Sequence, residues 1–159
     1  MHPSTQKVAH AAAALGLNIE IVTFEQSTRT AEDAAAAIGC EVAQIVKSLV
    51  FTAADQPLIV LVSGSNQLDT GKLATLLGIG KKRVKRADAE VVKTATGYSI
   101  GGVPPFGHAS VLPVYVDQDL LRYEVIWAAA GTPNTVFAIT PEELLRASGG
   151  IVANLATRT

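Results

Sequence analysis

Two features of the sequence could support chemistry on a carbonyl group: one lysine in an apolar segment, and a segment rich in glycine and proline that begins 50 residues later. Residues 97–108 read Gly-Tyr-Ser-Ile-Gly-Gly-Val-Pro-Pro-Phe-Gly-His, with four glycines and two adjacent prolines. This composition excludes a regular helix or a central strand, because glycine carries an entropic cost there and proline lacks a backbone N–H. We expect a stiff loop whose backbone can approach a ligand closely.

The loop also offers hydrogen-bond donors. Around its two prolines, N–H groups remain on Gly101, Gly102 and Val103 and on Phe106 and Gly107. Backbone donors of this kind can stabilise negative charge that develops on a carbonyl oxygen. The alternative is an ordinary rigid connection that packs its phenylalanine into the core, and composition alone favours that alternative.

The lysine is Lys47, and it lies within a strand pattern. Residues 44–52 and 58–63 are apolar runs rich in β-branched residues, joined by residues 53–57, which predicts a hairpin at the centre of a sheet. Because side chains alternate along a strand, Lys47 shares a face with large apolar residues. These residues are Ile45, Leu49 and Phe51.

A buried ammonium without a partner is costly, so Lys47 must find one. It can reach the edge of the sheet, meet an anionic group, or lie in a cleft where a ligand supplies the charge. The alternative is that its stem passes the apolar neighbours and its ammonium reaches water. The residues themselves leave both interpretations open.

The remaining pattern mixes helices with strands. Caps and stop residues predict helices over residues 4–15, 30–39, 69–78, 88–97 and 140–149, with Ser4 or Thr5 capping the first. Further strands are predicted at residues 18–24, around Val84, and at 111–116, 123–130, 135–139 and 151–155. Strict βαβ alternation is missing, so we expect a single α+β domain over residues 1–159, with a mixed, mainly antiparallel central sheet surrounded by helices.

Composition narrows the class of protein. The chain has 159 residues, 48% apolar and 17% charged, and its apolar runs are too short to span a bilayer, so no membrane partner is expected. The first residues lack a secretory pattern, which predicts a cytoplasmic protein. The single cysteine, Cys40, is expected to be a buried thiol. It forms no metal-ligand spacing with the three histidines, so neither a metal nor another cofactor is expected.

The charge distribution is uneven. Net charge is −1, which argues against general affinity for nucleic acid, yet five of the 13 basic residues lie within six positions. They are Lys81, Lys82, Arg83, Lys85 and Arg86, named here the basic segment. Such a segment can attract phosphates locally, or it can protect an exposed sheet edge.

Three segments together resemble the YbaK family of freestanding aminoacyl-tRNA deacylases, which is related to the editing domain inserted in bacterial prolyl-tRNA synthetase. They are residues 46–51, residues 96–108 and the Ala-Ala-Gly turn at residues 129–131. The resemblance extends over almost the whole chain. It is specific because a strand lysine occurs together with a Gly-x-x-x-Pro motif, here from Gly101 to Pro105.

The resemblance implies hydrolysis of the ester that joins a wrong amino acid to the terminal adenosine of a tRNA, most often a proline tRNA. Aminoacyl-tRNA is then the partner, and prolyl-tRNA synthetase is a second candidate partner. The family has neither a protein nucleophile nor a metal, so water or a substrate thiol attacks. The implied catalytic residues are Lys47, Gly101, Gly102 and Val103, where Lys47 orients the ester or holds the tRNA end. The implied substrate-binding residues are Tyr98, Ile100, Pro104, Pro105, Phe106, Gly107, His108, Ala129, Ala130 and Gly131. The basic segment is predicted to touch the tRNA.

One departure limits what the resemblance implies about the substrate. Cysteine-specific members resemble Ser-Gly-Gly where this chain has Ala129-Ala130-Gly131, and the acidic residue of some members falls within residues 135–137, which are not acidic here. Alanine, serine, threonine or a small non-protein amino acid remain open. Two rival interpretations are a non-catalytic tRNA- or ligand-binding module of the same fold, and an unrelated α+β domain. The joint presence of Lys47 and the loop counts against both.

Overall fold

The computed structural model describes residues 1–26, 28 and 30–157. These residues form five helices, α1 (Pro3–Ala14), α2 (Ala31–Ile38), α3 (Thr70–Leu77), α4 (Ala89–Thr96) and α5 (Pro141–Ser148). The strands are β1 (Ile21–Thr23), β2 (Val46–Ala53), β3 (Gln56–Ser63), β4 (Gln67–Leu68), β5 (Val84–Arg86), β6 (Val114–Asp117), β7 (Ile126–Ala129), β8 (Thr135–Ile139), β9 (Ile151–Ala153) and β10 (Ala156–Thr157). Short 3₁₀ turns cover Val42–Gln44, Lys81–Arg83 and Gln118–Arg122.

The central sheet has five strands in the order β5-β2-β3-β6-β9. Strand β2 is antiparallel to both β3 and β5, whereas β3, β6 and β9 run parallel to one another. A three-stranded antiparallel sheet, β1-β8-β7, and the short pair β10-β4 complete the strands of the described chain. This arrangement confirms the predicted α+β fold with a mixed central sheet. Two of the four strand pairings in that sheet are antiparallel and two are parallel, so the antiparallel share is smaller than predicted.

Both faces of the central sheet are covered, because its middle strand is apolar on both sides. Ile59 and Leu61 of β3 pack in the larger cluster, with residues from α1, α4, α5, β7 and β8. Val60 and Val62 point to the other face, where they meet α3 through Leu73. Continuous burial of β3 explains why its sequence reads as an uninterrupted apolar run.

The predicted helix boundaries follow their caps closely. Thr30, Asp69, Asp88 and Thr140 each accept a backbone hydrogen bond at the start of α2, α3, α4 and α5. The first helix differs from the prediction, because its cap is His2, whose Nδ1 accepts from the amide of Ser4, and Pro3 takes the first helical position. Thr5 is buried instead of capping.

The β2–β3 connection is tighter than predicted. Only Ala54 and Asp55 lie between the strands, with φ of 50° and 68°. Positive φ at both central residues is typical of a two-residue type I′ hairpin turn, which usually carries Asn-Gly, so Ala-Asp at these positions is no local signal for it. The predicted connection over residues 53–57 was therefore too long, and Pro57 lies inside β3. Proline has no N–H to donate to a neighbouring strand. Because β6 pairs with β3 only from Ile59 onwards, no hydrogen bond between these strands is lost at Pro57.

Other strand ends also differ from the predictions. The predicted strands at residues 18–24 and 123–130 shorten to β1 and β7. The strand predicted at 111–116 begins later, at Val114, and ends one residue further on, at Asp117, and Val111 is fully exposed. Strands β4 and β10 were not predicted, because a two-residue pair carries no periodicity. No helix among the described residues has the length and hydropathy needed to cross a bilayer.

Candidate active site

A cavity of about 380 Å³ brings the two chemical features of the sequence together. Lys47 of β2 lines it, as do Gly101 and Val103 of the glycine- and proline-rich loop. The other walls come from α2, β7 and the turn between β7 and β8. Outside the loop, the lining residues include Thr30, Glu32, Ile45, Ser48, Leu49, Gly64, Arg86, Trp127, Ala129, Thr132 and Pro133.

The cavity forms at a gap along one edge of β2. Strand β5 pairs with β2 only at residues 51–53, and β7 meets the other end through an isolated bridge from Trp127 to Ile45. Within the described chain, no strand pairs with this edge between these two points. The open edge therefore gives the loop and the cavity direct access to β2.

Lys47 is half-buried at the cavity, and its Nζ donates a hydrogen bond to the backbone carbonyl of Asn66. Burial lowers the pKa of Lys47 from its ordinary value, and Arg86 lowers that pKa further, whereas the carboxylates of Glu32 and Asp117 raise it. The ammonium thus has a defined acceptor. This contact distinguishes Lys47 from a side chain that only extends past apolar neighbours to water.

The first half of the loop is built on a turn at residues 99–102. The amide of Gly102 donates to the carbonyl of Ser99 at 3.0 Å, and Gly101 has a φ of 92°. A positive φ at the third position is typical of a type II turn and favours glycine there. The Gly102 amide is therefore already engaged, while the amides of Gly101 and Val103 donate no hydrogen bond within the described residues.

Close backbone packing fixes this half of the loop. The Gly102 carbonyl accepts from the amide of Gly131 at 3.0 Å. A Cβ on Gly102 would lie 2.6 Å from the carbonyl oxygen of Gly131, and one on Gly131 would lie 2.6 Å from that of Ser4. The backbones of the loop, the β7–β8 turn and the start of α1 are thus in direct contact. Any side chain at residue 102 or 131 would collide with a neighbouring carbonyl group, so both positions require glycine.

The second half of the loop packs into the core. Phe106 is 2% exposed and its ring centroid lies 5.6 Å from that of Phe137. His108 Nε2 lies 2.7 Å from the carbonyl oxygen of Pro104, and burial lowers the pKa of His108. Tyr98, at the start of the loop, is also buried, with 1% exposure. The alternative interpretation, a rigid connection that buries its phenylalanine, therefore describes the second half of the loop, whereas Ile100, Gly101 and Val103 line the cavity.

The structure brings only part of the predicted site to the cavity. The predicted residues that line it are Lys47, Arg86, Ile100, Gly101, Val103 and Ala129. Those that do not are Tyr98, Gly102, Pro104, Pro105, Phe106, Gly107, His108, Ala130, Gly131, Lys81, Lys82, Arg83 and Lys85. Gly102, Ala130 and Gly131 are buried behind the lining.

All five residues of the basic segment are exposed, and they lie in the turn before β5 and in β5 itself. Strand β5 lies at the edge of the central sheet, so its charges are placed where they would protect that edge. At the same time Arg86 lines the cavity, which makes the segment continuous with the candidate site. The geometry is compatible with either predicted role.

Several cavity residues were missed by sequence reasoning. Glu32 and Thr30 come from the start of α2, and their signal, a capped helix, did not reveal a position beside Lys47. Gly64 follows β3 directly, and a Cβ there would lie 2.3 Å from the carbonyl oxygen of Val42. Trp127, the only tryptophan of the chain, could have drawn attention because of its size.

Polar groups that could bind a metal are dispersed. Within the described residues no three His, Cys, Asp or Glu side chains form a cluster able to hold an ion. Cys40 is partly buried at the end of α2, outside the cavity lining, and burial raises the pKa of its thiol. The hydroxyl of Ser48 is buried beside the cavity and has no hydrogen-bond partner among the residues that the structure describes.

Several known proteins are similar to this chain in sequence and in fold. A family model described as an aminoacyl-tRNA editing domain matches residues 25–147. YwhH of Bacillus subtilis is 34% identical over 126 residues, 79% of this chain and 78% of that protein. EbsC of Enterococcus faecalis, which bears the name of a candidate Cys-tRNA(Pro)/Cys-tRNA(Cys) deacylase, is 29% identical over 81% of this chain and 78% of its own.

A solved structure described as a candidate trans-editing enzyme for prolyl-tRNA synthetase has a TM-score of 0.93 and 46% identity, with 99% of both chains covered. Together with the family match over most of the chain, this similarity confirms the resemblance to the YbaK family. The chain belongs to the aminoacyl-tRNA editing domain family.

Proposed function

We propose that this protein deacylates mischarged tRNA in the cavity between β2 and the loop. The supporting observation is that Lys47, Gly101 and Val103 line one cavity of about 380 Å³. Within the described part of the chain, the amides of the two loop residues donate no hydrogen bond and so are available to a substrate. Family membership gives the reaction class, since editing domains act on aminoacyl-tRNA. Lys47 and the loop then supply the charges and donors that this reaction needs.

Water attacks the ester carbonyl in this mechanism, and negative charge develops on the carbonyl oxygen. The amides of Gly101 and Val103 stabilise that charge, each by about 3 kcal/mol, because they are fixed before the reaction. The bond from the carbonyl carbon to the ribose oxygen breaks, and the proton lost by water ends on that oxygen. The products are a free amino acid and a tRNA with its terminal hydroxyl restored.

Two side chains of opposite charge orient the substrate. The Lys47 ammonium holds the hydroxyl-rich or anionic end of the tRNA beside the ester. Glu32, a carboxylate in the cavity lining, is placed to hold the cationic α-amino group of the amino acid. Such orientation lowers the barrier because the reacting groups no longer have to find each other.

The substrate is a proline tRNA that carries a small amino acid. Support for the tRNA comes from the solved relative described as acting for prolyl-tRNA synthetase, and that synthetase is a candidate partner here. The departure from Ser-Gly-Gly at residues 129–131 favours alanine, serine, threonine or a small non-protein amino acid over cysteine, although the name of EbsC refers to cysteine. Apolar pockets separate substrates one methylene apart by only about 1–3 kcal/mol, so neighbouring amino acids should be hydrolysed at measurable rates.

A deacylation panel tests the proposal. One proline tRNA is charged in turn with cysteine, alanine, serine, threonine and proline, and each ester is incubated with the pure protein and with Lys47→Met. We expect at least one mischarged ester to be hydrolysed faster by the wild type than by the variant or buffer. If no ester exceeds the buffer rate while the tRNA still binds, the protein is a non-catalytic module of the same fold.

A further inference from the structure

Lys47 and Asp117 lie on the same face of the central sheet, on either side of one strand. Lys47 pairs with Val62 of β3, and the β3–β6 register pairs Leu61 with Val116. Continued by one residue, that register places Asp117 beside Val62 on its other side. Since neighbouring strands lie about 4.8 Å apart, the two backbones are separated by about 10 Å across β3.

Asn66 bridges this separation. Its amide donates to the Ser63 carbonyl at 2.9 Å, which closes a turn directly after β3. Its carboxamide donates to Asp117 at 2.9 Å and to Asp119 at 2.8 Å. The backbone carbonyl of the same residue accepts the hydrogen bond from Lys47 Nζ. One asparagine therefore connects two carboxylates to the lysine of the candidate site.

Asp117 is the fixed end of this connection. It has no exposed surface, and it accepts hydrogen bonds from the Ser63 amide at 3.1 Å, the Asn66 carboxamide and the Asp119 amide at 3.0 Å. A buried carboxylate is costly unless donors surround it, and three donors hold this one in place. Neither Asp117 nor Asn66 lines the cavity, so a direct role on substrate is not available to them.

We propose that Asp117 is a positioning residue that acts through Asn66 to hold the Lys47 ammonium in place at the cavity. Asp117 fixes the carboxamide, the carboxamide fixes the turn, and the turn presents the carbonyl to which Lys47 donates. The effect on catalysis rests on the proposed deacylase function, whereas the effect on Lys47 rests on these contacts alone.

Other charges also face Lys47, and they set the background for any titration. Glu32 approaches from α2, Arg86 from β5 and Asp117 from β6. Replacing Asn66 with alanine leaves these three charges and the backbone carbonyl at residue 66 present, and removes only the carboxamide that ties the turn to Asp117. The carbonyl is then no longer held in line with Lys47. Because a hydrogen bond to the charged form favours that form, a weaker bond should lower the pKa of Lys47.

Nuclear magnetic resonance of the full chain with ¹³C-labelled lysine measures this effect directly. The Lys47 signal is identified by its absence in Lys47→Arg, and its titration is followed in the wild type, Asn66→Ala and Asp117→Asn. The matched control is Thr140→Ala, which removes a helix cap at α5, where Thr140 accepts from the Glu143 amide at 3.1 Å. We expect Lys47 to titrate at a lower pH in Asn66→Ala and Asp117→Asn than in the wild type, and at the wild-type pH in Thr140→Ala.

Deacylation kinetics supply the second measurement. With Lys47 active as an ammonium, the alkaline limb of kcat should move to lower pH in Asn66→Ala, with KM for the tRNA close to that of the wild type. An Asn66→Ala protein that is folded and shows the wild-type Lys47 titration and pH profile would overturn the inference. If Asp117→Asn does not fold, Asn66→Ala still decides, because Asn66 lies in a partly exposed turn.

The two levels of proposal fail in different ways. A wild-type protein without hydrolytic activity would remove the proposed function, while the Lys47 titration would still test the connection. An active wild type with an Asn66→Ala variant that matches it in both measurements would remove only the role of Asp117.

Discussion

Among single residues, Lys47 is the one on which the proposed reaction depends most. Lys47→Met keeps most of the apolar stem and removes the ammonium, so thermal stability should stay equal or rise. Deacylation should fall by about 100-fold or more, because orientation of the ester is lost. Lys47→Arg should also fail, since a planar guanidinium does not replace a compact ammonium in a tight site. Thermal unfolding and deacylation rates of both variants check this, and an active Lys47→Met protein would contradict it.

The lowered pKa of Lys47 has a consequence for stability against pH. Between the folded-state pKa and the higher unfolded-state pKa, the unfolded chain binds more protons, so the free energy of unfolding rises with pH. Lys47→Met lacks this contribution. The stability advantage of Lys47→Met over the wild type should therefore be largest below the folded-state pKa and shrink as pH rises. Denaturant unfolding of both proteins across alkaline pH measures the difference, and a constant difference would contradict the prediction.

Gly102 tests how the loop is held. An alanine Cβ there would meet the Gly131 carbonyl oxygen at 2.6 Å, and backbone atoms cannot move aside cheaply. Gly102→Ala should lower the free energy of unfolding by about 1–3 kcal/mol, and Tm by about 2–4 °C for each kcal/mol.

The matched control for this substitution is Gly80→Ala. Gly80 has a φ of −70° and nothing within 4 Å of an added Cβ. That substitution should stabilise the protein by about 0.4–1 kcal/mol, because it restricts the unfolded chain. Thermal unfolding of both variants should give shifts of opposite sign, and a neutral Gly102→Ala would show that the loop yields easily.

Among the structural elements, the basic segment should contribute to tRNA binding and not to hydrolysis of the ester. Replacing Lys81, Lys82 and Arg83 with alanine should weaken tRNA binding and flatten the slope of log affinity against log salt. The expected change is about 0.7 to 0.9 per phosphate contact removed, while turnover at saturating tRNA is kept. Arg146→Ala is the control, because it removes an exposed positive charge on α5, outside the basic segment. An unchanged slope in the triple variant would leave the segment as protection of the β5 edge.

Elements with strong local signals were predicted well. The predicted ranges of α2 to α5 begin and end at the observed capping residues, because a capping side chain and a terminal glycine act on the nearest residues. For α3 the sequence left Asp69 and Thr70 open as the cap, and the cap is Asp69. The hairpin turn was misplaced, since positive φ at Ala54 and Asp55 is imposed by strand pairing and not by residue preference. Strands β4 and β10 exist through long-range pairing that no short pattern indicates.

Only part of the candidate site was predicted from the sequence, again because long-range packing leaves no local pattern. Lys47 and Gly101 could be singled out because a charged residue and a glycine are unusual in their local patterns. Glu32 and Trp127 reach the cavity through α2 and the three-stranded sheet, whose placement depends on tertiary packing. The connection from Asp117 through Asn66 spans 51 residues of sequence and has no local signal.

At the scale of the whole molecule, catalysis should not require a metal ion. The mechanism takes its charge stabilisation from backbone amides and Lys47, so exhaustive chelation should leave the deacylation rate unchanged. The measurement compares rates before and after chelation at constant ionic strength, with a zinc-dependent hydrolase as a positive control for chelation. A loss of rate that zinc restores would contradict this prediction.

The most direct test of the central claim is a single-turnover reaction with enzyme in excess over mischarged proline tRNA. Conditions are chosen so that all tRNA is bound, and wild type, Lys47→Met and Thr140→Ala are compared. We predict that the wild type and Thr140→Ala release the amino acid at similar rates, while Lys47→Met binds the tRNA and releases the amino acid about 100-fold more slowly or not at all. Equal release by Lys47→Met would contradict the claim that the cavity at Lys47 is where the ester is hydrolysed.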